Sequence, residues 1–427
     1  MKSTKKRCRF APTAAITAPL IGALLGGCAI QGGKKVTQEV APRYSAASPE
    51  FRQAAGSLLG GNFVSGNNIT TLVNGREIFP AMLSAIRSAR RSIDFETYVF
   101  WDGDVAKQFT DALAERARAG VTVNAILDAQ GTSKMGSENL ERLRTAGVKM
   151  VKYHSIIWLD PRRYNNRSHR KLLIVDGKVG FIGGVGVADE WQGNGESPQH
   201  WRDNHYKVSG PVVAQLQAAF MDNWLKTQGE VLHGPEYFPS LASTGSYVAQ
   251  AFKSSPRQGD MDIHLMYLLA IASAQHSLLI QNAYFLPDDL MRKELISAAR
   301  RGAKVEILVP GEHIDQKVLR AASRKHWPEL LKAGVKIYEY EPAMMHVKLM
   351  IVDGALVSVG SGNFDLRSVR LNDEANMNVL SPSFALEQAR LFERDKRRSR
   401  EITLDETGKL GPLHPLQQAA SVAAPEL

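Results

Sequence analysis

The sequence predicts an α/β fold of two similar α/β/α halves, each with a mixed central sheet, related by a pseudo-two-fold with the active site at their interface. Three observations predict it. An apolar-periodic helix near Phe79–Arg90 leads into the strand-like run Ser92–Phe100, and Met261–Ala274 leads likewise into Ser277–Phe285. Helices then stop at glycine before β-branched runs, a βαβ signal. Gly120 precedes Val121–Leu127 and Gly302 precedes Ala303–Val309; the Leu143–Val148 turn precedes Lys149–Tyr153, as Leu331–Val335 precedes Lys336–Tyr340. Finally, both series reach one block, Ser168-His-Arg-Lys-Leu-Leu-Ile-Val-Asp-Gly177 and Met345-His-Val-Lys-Leu-Met-Ile-Val-Asp-Gly354. The order of elements is therefore α/β, given twice.

These landmarks divide the chain. Residues 61–228 hold the first half and 247–399 the second, with the Gly- and Pro-punctuated 229–246 as connection. Residues 28–60, rich in Gly, Ala, Ser, Pro and Lys, read as a flexible tether, and 400–427 as a loosely ordered tail. A hydrophobic content of 44% and a charged content of 22% allow a sizeable buried core. Of the net charge of +10, half sits in the first 27 residues, which hold Lys2, Lys5, Lys6, Arg7 and Arg9 and no acid. The mild basic excess that remains suits an anionic partner, a phospholipid surface or nucleic acid, without choosing between them.

The leader has a basic stretch followed by an apolar run, Phe10 to Gly27, as a secretory signal does. It ends in Leu25-Gly26-Gly27-Cys28, which resembles the lipobox of bacterial lipoproteins. That resemblance implies cleavage before Cys28 and lipidation of its thiol. With Ala29 next, it implies a membrane-tethered lipoprotein on the periplasmic side, bound for the outer membrane. The alternative is an uncleaved N-terminal anchor. Cys8 and Cys28 are the two cysteines of the sequence, so the mature domain is expected to lack an intramolecular disulfide and a thiolate metal site.

Within each block, Leu172–Val175 and Leu349–Val352 read as strand. Residues two apart on a strand share a face, so His169 stands beside Lys171, and His346 beside Lys348. Asp176 and Asp353 have the opposite parity and precede glycine, a hairpin signal, so their expected role is to fix the turn. Two imidazole–ammonium pairs suit phosphodiester chemistry. The lysines meet charge on the non-bridging oxygens, one histidine attacks phosphorus, and the other protonates the leaving oxygen. The scheme needs no metal and no cofactor.

The blocks resemble the two HKD motifs of the phospholipase D superfamily, here His169/Lys171/Asp176 and His346/Lys348/Asp353. Gly360-Ser361-Gly362-Asn363 is similar to the family's Gly-Ser-x-Asn, whose side chains help hold phosphate. Bacterial cardiolipin synthases give the closer likeness, through Asn363-Phe-Asp-Leu-Arg-Ser368, Leu371-Asn-Asp-Glu374, Trp201-Arg-Asp, Gly210-Pro-Val-Val213 and Gln281-Asn-Ala-Tyr-Phe285. The resemblance runs from Ile69 to Arg394. It implies phosphate contacts from Gly184, Ser361 and Asn363, and acids at Glu190 and Glu374 hydrogen-bonding the catalytic histidines. It also implies His169 as nucleophile and His346 as acid. The first copy departs from the pattern, reading Gly183-Gly184-Val185-Gly186 with Gly186 where the synthases have Asn. Phosphate contacts on that side are then weaker or made by backbone.

Other features carry less. Ile156–Leu159, Trp191 and Trp201 read as bilayer-interface residues or, more simply, as core or pocket wall. The basic run Lys396–Arg400 reads as a solvated helix end, and Met344-Met345 as packing. The resemblance implies a phosphatidyltransferase that makes cardiolipin from phosphatidylglycerol or another phospholipid donor. A phospholipase D hydrolase releasing phosphatidic acid differs from it in the acceptor alone. The modest charge of the mature part argues against a metal-independent nuclease and a nucleic-acid partner. A catalytically dead lipid-binding protein is the non-enzymatic alternative, against which all six motif residues are present.

Overall fold

Each half opens with a strand, β1 (Val64–Val73) or β8 (Tyr247–Ser254), and these two strands pair antiparallel with each other. The computed structural model describes residues 36–154 and 165–408. From β1 the first half runs through β2 (Ser92–Thr97), β3 (Thr122–Asp128), β4 (Lys149–Tyr153), β5 (Leu172–Val175), β6 (Val179–Gly183) and β7 (Asn204–Ser209). The second continues through β9 (Ser277–Asn282), β10 (Phe285–Leu286), β11 (Lys304–Pro310), β12 (Lys336–Tyr340), β13 (Lys348–Val352), β14 (Leu356–Gly360), β15 (Phe364–Asp365), β16 (Glu374–Leu380) and β17 (Ser399–Ile402).

The two mixed sheets merge through β8–β1 into one of 15 strands, in the order β17-β12-β11-β9-β13-β14-β16-β8-β1-β7-β6-β5-β2-β3-β4. Apart from β17 at one edge, this order reads the same from both ends once each strand is replaced by its repeat partner. The pseudo-two-fold therefore passes between β8 and β1. In each half the three strands after helices are parallel, while the block strand enters antiparallel. The glycines that stop the helices, Gly120, Gly147, Gly302 and Gly334, all have φ between 87° and 99°. That left-handed conformation carries no Cβ penalty for glycine.

Side chains of the block strands alternate between two buried layers. Leu173 and Val175 join the outer core of the first half with Phe79, Phe95 and Phe109. Leu172 and Ile174 face a core that also takes in Leu349, Ile351 and Phe384 of the second half. One apolar layer thus spans both repeats and fixes their relative placement.

Asp176 and Asp353 serve the turns, as their parity indicates. Asp176 and Gly177 have φ of 53° and 61°, and Asp353 and Gly354 have 50° and 61°, two left-handed residues opening a three-residue hairpin turn between Val175 and Val179 and between Val352 and Leu356. The Asp176 carboxylate accepts from the backbone N–H of Arg90, Arg91 and Ser92 at 2.7–3.1 Å. That of Asp353 accepts from Gln275, His276 and Ser277 at 2.7–2.9 Å. Each Asp locks its hairpin to the start of the neighbouring strand, and neither contacts a motif histidine.

Both ends of the expected domain map need correction. The tether expected to reach residue 60 is shorter, because Pro49–Leu58 is a helix and Ala46, Phe51, Ala55 and Leu59 lie in the core of the second half. Ser48 caps that helix by accepting from Phe51 N, with Pro49 at its first position, where no N–H is needed. Val40 N also donates to Glu294 at 2.7 Å. At the other end, the expected tail begins as structure: β17 pairs antiparallel with β12, and Leu404–Gly408 is helical. Cys28 and Ile156–Leu159 lie outside the described residues. Among the described residues no helix is long and apolar enough to cross a membrane.

Candidate active site

The two HKD histidines enter one cleft because each is strapped to the other half. His169 N donates to Asp373 O at 2.8 Å, and Asp373 N donates to Arg167 O at 2.8 Å. Correspondingly, His346 N donates to Arg202 O at 2.7 Å, and Arg202 N to Met344 O at 2.8 Å. Each strap places the next carboxylate against the ring. Glu374 faces His169 Nδ1 at 2.9 and 3.0 Å, and Asp203 faces His346 Nδ1 at 2.8 Å. The pairs are crossed: every histidine is held by an acid from the opposite repeat.

This corrects the expectation for Glu190. That residue sits in the turn Asp189–Trp191, where its backbone carbonyl accepts from Trp201 N, and Asp203 takes the carboxylate role. Sheet register shows why. Gly183 pairs with His205 as Gly360 pairs with Asn376, so Asp203 and Glu374 occupy the same place, just before β7 and opening β16. The segment between the glycines and the acid is six residues longer in the first half, 19 steps from Gly184 to Asp203 against 13 from Ser361 to Glu374. Counting the second half's 28 steps forward from His169 therefore stops at Ser197, six residues short of Asp203, and Glu190 lies further short still.

The surroundings of the two acids differ. Glu374 also accepts from Ser361 Oγ at 2.5 Å and Ser368 Oγ at 2.6 Å. Asp203 accepts instead from Trp191 Nε1 at 3.1 Å and from Asn204 N at 2.8 Å. Gly184 leaves no space for a counterpart of Ser361, since a Cβ there would lie 2.6 Å from both Asp203 oxygens. At Gly186 a Cβ would fall 2.7 Å from that of Val99, so the expected Asn has no room. Gly184 and Gly186 thus contribute close packing, while Asn363 lines the cleft.

His169, Lys171, His346 and Lys348 are between 3 and 7% exposed. Both rings and Lys171 line a cavity of about 710 Å³. Tyr98 packs edge-on to His169 at 5.3 Å between ring centres, and Trp201 and Trp191 pack on His346 at 5.3 and 5.4 Å. The two tryptophans are therefore cleft wall, as is Tyr284, 6.1 Å from His346. The two lysines differ. Lys171 Nζ donates to His169 O at 2.8 Å; Lys348 Nζ donates to His346 O at 2.6 Å and also stands 3.2 Å from His346 Nε2.

Burial decides the charge states. It pushes His169 down to about 4, with Glu374 opposing and Lys171 adding to the fall. It pushes His346 down to about 3, with Lys348 adding and Asp203 opposing. Burial also brings Lys171 down to about 7 and Lys348 to about 8. Glu374 and Asp203 stay below the usual carboxylate range, because burial is outweighed by the facing imidazoles and lysines. Both rings are thus neutral near pH 7, each giving Nδ1–H to a carboxylate and keeping the Nε2 lone pair. Below pH 7, where both lysines are largely charged, the two ammoniums and two carboxylates cancel around the neutral rings. Among the described residues no group of three or more His, Cys, Asp or Glu is placed to hold a metal ion.

Two α/β/α repeats that bring a crossed His–carboxylate pair and a lysine from each side to one cleft define a protein of the phospholipase D-like class. The family model described as "Cardiolipin synthase, PLD-like domain" matches residues 82–224 and 267–396, and the chain belongs to that family. It is 36% identical over 338 residues to cardiolipin synthase 2 of Bacillus anthracis, covering 78% of this chain and 66% of that protein. To cardiolipin synthase A of Pseudomonas fluorescens it is 32% identical over 356 residues, covering 83% and 73%. The chain thus spans about two thirds of the length of these curated relatives. The crystal structure of phosphatidylserine synthase from Haemophilus influenzae superposes with a TM-score of 0.67 over 88% of this chain and 97% of that one, at 14% identity, which shows the shared fold.

Proposed function

We propose that the chain is a phosphatidyltransferase that makes cardiolipin from phosphatidylglycerol, or from another phospholipid donor, through a phosphohistidine on His169. The observation that supports this most is the crossed pairing, which commits Nδ1 of both rings to carboxylates and leaves Nε2 of each for one cavity. His169 Nε2 attacks phosphorus, the bond from phosphorus to the headgroup oxygen breaks, and His346 gives that oxygen a proton. In the second half-reaction His346 takes the proton of the acceptor hydroxyl, whose oxygen displaces His169. Two phosphatidylglycerols become cardiolipin and glycerol.

Substrate charge arms the acid. A phosphodiester monoanion brings one negative charge to a site that is otherwise neutral, and so raises the affinity of a ring for a proton. Lys348, close to His346 Nε2 without ligand, can turn its ammonium to the phosphate oxygens; His169 Nε2 has no such neighbour among the contacts described. That contrast favours His169 as the attacking ring.

Purified protein incubated with phosphatidylglycerol is expected to yield cardiolipin and glycerol, with ³²P-phosphatidyl label trapped on His169 after rapid quench. Phosphatidic acid in place of cardiolipin would establish the hydrolase instead. The reading extends to a membrane-surface partner, with Cys28 as the lipid-bearing tether on the periplasmic side of an outer membrane. Mass spectrometry of the mature N-terminus is expected to find diacylglycerol on Cys28; an intact leader would leave the uncleaved anchor.

A further inference from the structure

The pseudo-two-fold that equates the catalytic pairs also equates the two ends of the cleft, and the ends carry different chemistry. Backbone pairings fix the correspondence. Phe100 bridges Val187 as Phe285 pairs with Phe364, and Ser168 bridges Asp373 as Met345 bridges Arg202. Counted from these anchors, Arg367 stands where the first half has Glu190, and Arg167 where the second has Met344. Asn372 likewise stands where the first half has Trp201. The turn Asp189–Trp191 and the helix Leu366–Arg370 begin at matching positions, which supports the count.

Arg167, Arg367 and Asn372 all line the cleft, next to Asn165. Arg367 Nη1 donates to Asn165 Oδ1 at 3.0 Å and Nη2 to Asn165 O at 3.2 Å, which ties this arginine to the segment, just before β5, that carries Arg167 and His169. The opposite end is walled by Trp201 over a fully buried Met344. One end therefore holds two arginines and two amides, with Arg167 3.7 Å from the buried Asp128 carboxylate and Arg367 held by Asn165, and the other is aromatic and apolar, although the reacting groups between them are symmetric.

We propose that the Arg167–Arg367 end binds a second phosphate, that of the acceptor phospholipid, while the reacting phosphorus lies between His169 and His346; this rests on the phosphatidyltransferase reading. Guanidinium forks match phosphate oxygens in shape and charge. A cavity of about 710 Å³ is of the size that encloses a whole small-molecule ligand, so it has room beyond the reacting phosphate. The chemistry gives such a subsite a purpose. Water and the released glycerol carry no anion, whereas phosphatidylglycerol presents its hydroxyl on a headgroup that does. A cationic end holds that hydroxyl beside the phosphohistidine and so favours transfer over hydrolysis and reversal. In the step itself the acceptor oxygen bonds phosphorus, the His169 Nε2–phosphorus bond breaks, and the hydroxyl proton passes to His346.

The test is a competition within one tube. The full-length protein is given phosphatidylglycerol vesicles and ethanol, and the ratio of cardiolipin to phosphatidylethanol is read from the lipid products. Both arise from one intermediate, so the ratio is independent of how much enzyme is folded. Arg367→Gln is expected to lower the ratio roughly 10- to 100-fold, as losing a charge-assisted contact to the acceptor would. Arg367→Lys, which keeps the charge, is expected to restore part of it. An unchanged ratio in Arg367→Gln, or equal loss of both products as from a purely structural role, overturns the proposal. A wild-type protein that forms neither product overturns the transferase reading as well. Phosphatidylethanol without cardiolipin in the wild type keeps the phosphatidyl-transfer chemistry and overturns the second-phosphate site.

Discussion

The two His–carboxylate pairs are alike where they can touch phosphorus and unlike everywhere else. Each half supplies a histidine, a lysine two residues on, a backbone strap and an acid for the other half's ring. Around that shared frame, Glu374 is padded by Ser361 and Ser368, and Asp203 by Trp191 with Gly184 pressed against it. The difference teaches where symmetry is needed. One phosphorus gripped from two sides asks for an imidazole and an ammonium on each, because His169 must bond phosphorus and then leave it while His346 gives a proton in one half-reaction and takes one in the next. The supports behind them have only to hold geometry, and a long acid with two hydroxyls does this as well as a short one with an indole. Crossing has a second effect: neither half contains a complete catalytic pair, so the site exists only when the repeats are docked.

The sharpest way to break the comparison is to ask which ring attacks. His169→Ala and His346→Ala are each expected to lose at least about 10⁴-fold in activity on phosphatidylglycerol. A phosphatidyl ester of p-nitrophenol separates them, because that leaving group departs without a proton. On it the His346→Ala variant is expected to regain roughly 100-fold or more in release of p-nitrophenol, while His169→Ala stays inactive. Recovery in His169→Ala instead would exchange the two roles.

Removing the crossed acids comes next in size. Asp203→Asn and Glu374→Gln keep the volume but free the imidazole to adopt the wrong tautomer, and each is expected to cost roughly 10²- to 10⁴-fold in kcat. Glu190→Gln, by contrast, is expected to stay within about threefold of wild type. Steady-state kinetics on the three variants checks the assignment. A Glu190→Gln loss as deep as that of Asp203→Asn would return the role to Glu190.

What was legible in the sequence was local. The βαβ order, the glycine stops and the opposite parity of Asp176 and Asp353 follow from one strand's alternation and one turn's conformation, and the structure has them in place. The helix Pro49–Leu58 was legible too, in Ser48-Pro49-Glu50 followed by Phe51 and Ala55 at helical spacing, but the surrounding Gly and Ala masked it. The crossing was not legible, because it depends on β8 meeting β1 and on contacts more than 140 residues apart. Asp203 lay between these cases. Counting back from the β7 strand, rather than forward from His169, would have aligned it with Glu374. The unequal chemistry of the cleft ends surfaced once bridges fixed which residues correspond.

The smallest expected effect distinguishes the halves by protons. Without ligand both rings are neutral at pH 6, with His169 held at about 4 and His346 at about 3. Lys171 and Lys348, at about 7 and about 8, are already largely charged there. Dimethyl phosphate keeps a single negative charge across this range. Its binding favours the protonated form of a nearby base, so any proton taken up at pH 6 goes mainly to an imidazole. The sign follows from linkage: the complex binds more protons than the free protein, so affinity rises as pH falls, by at most about tenfold per pH unit for one proton. Titration calorimetry in buffers of different ionisation heat is expected to count up to about one proton at pH 6. His346→Ala should abolish that uptake and His169→Ala should retain it. Uptake that survives in His346→Ala and vanishes in His169→Ala would make the other ring the acid, in a site whose two halves are otherwise equally fit for the part.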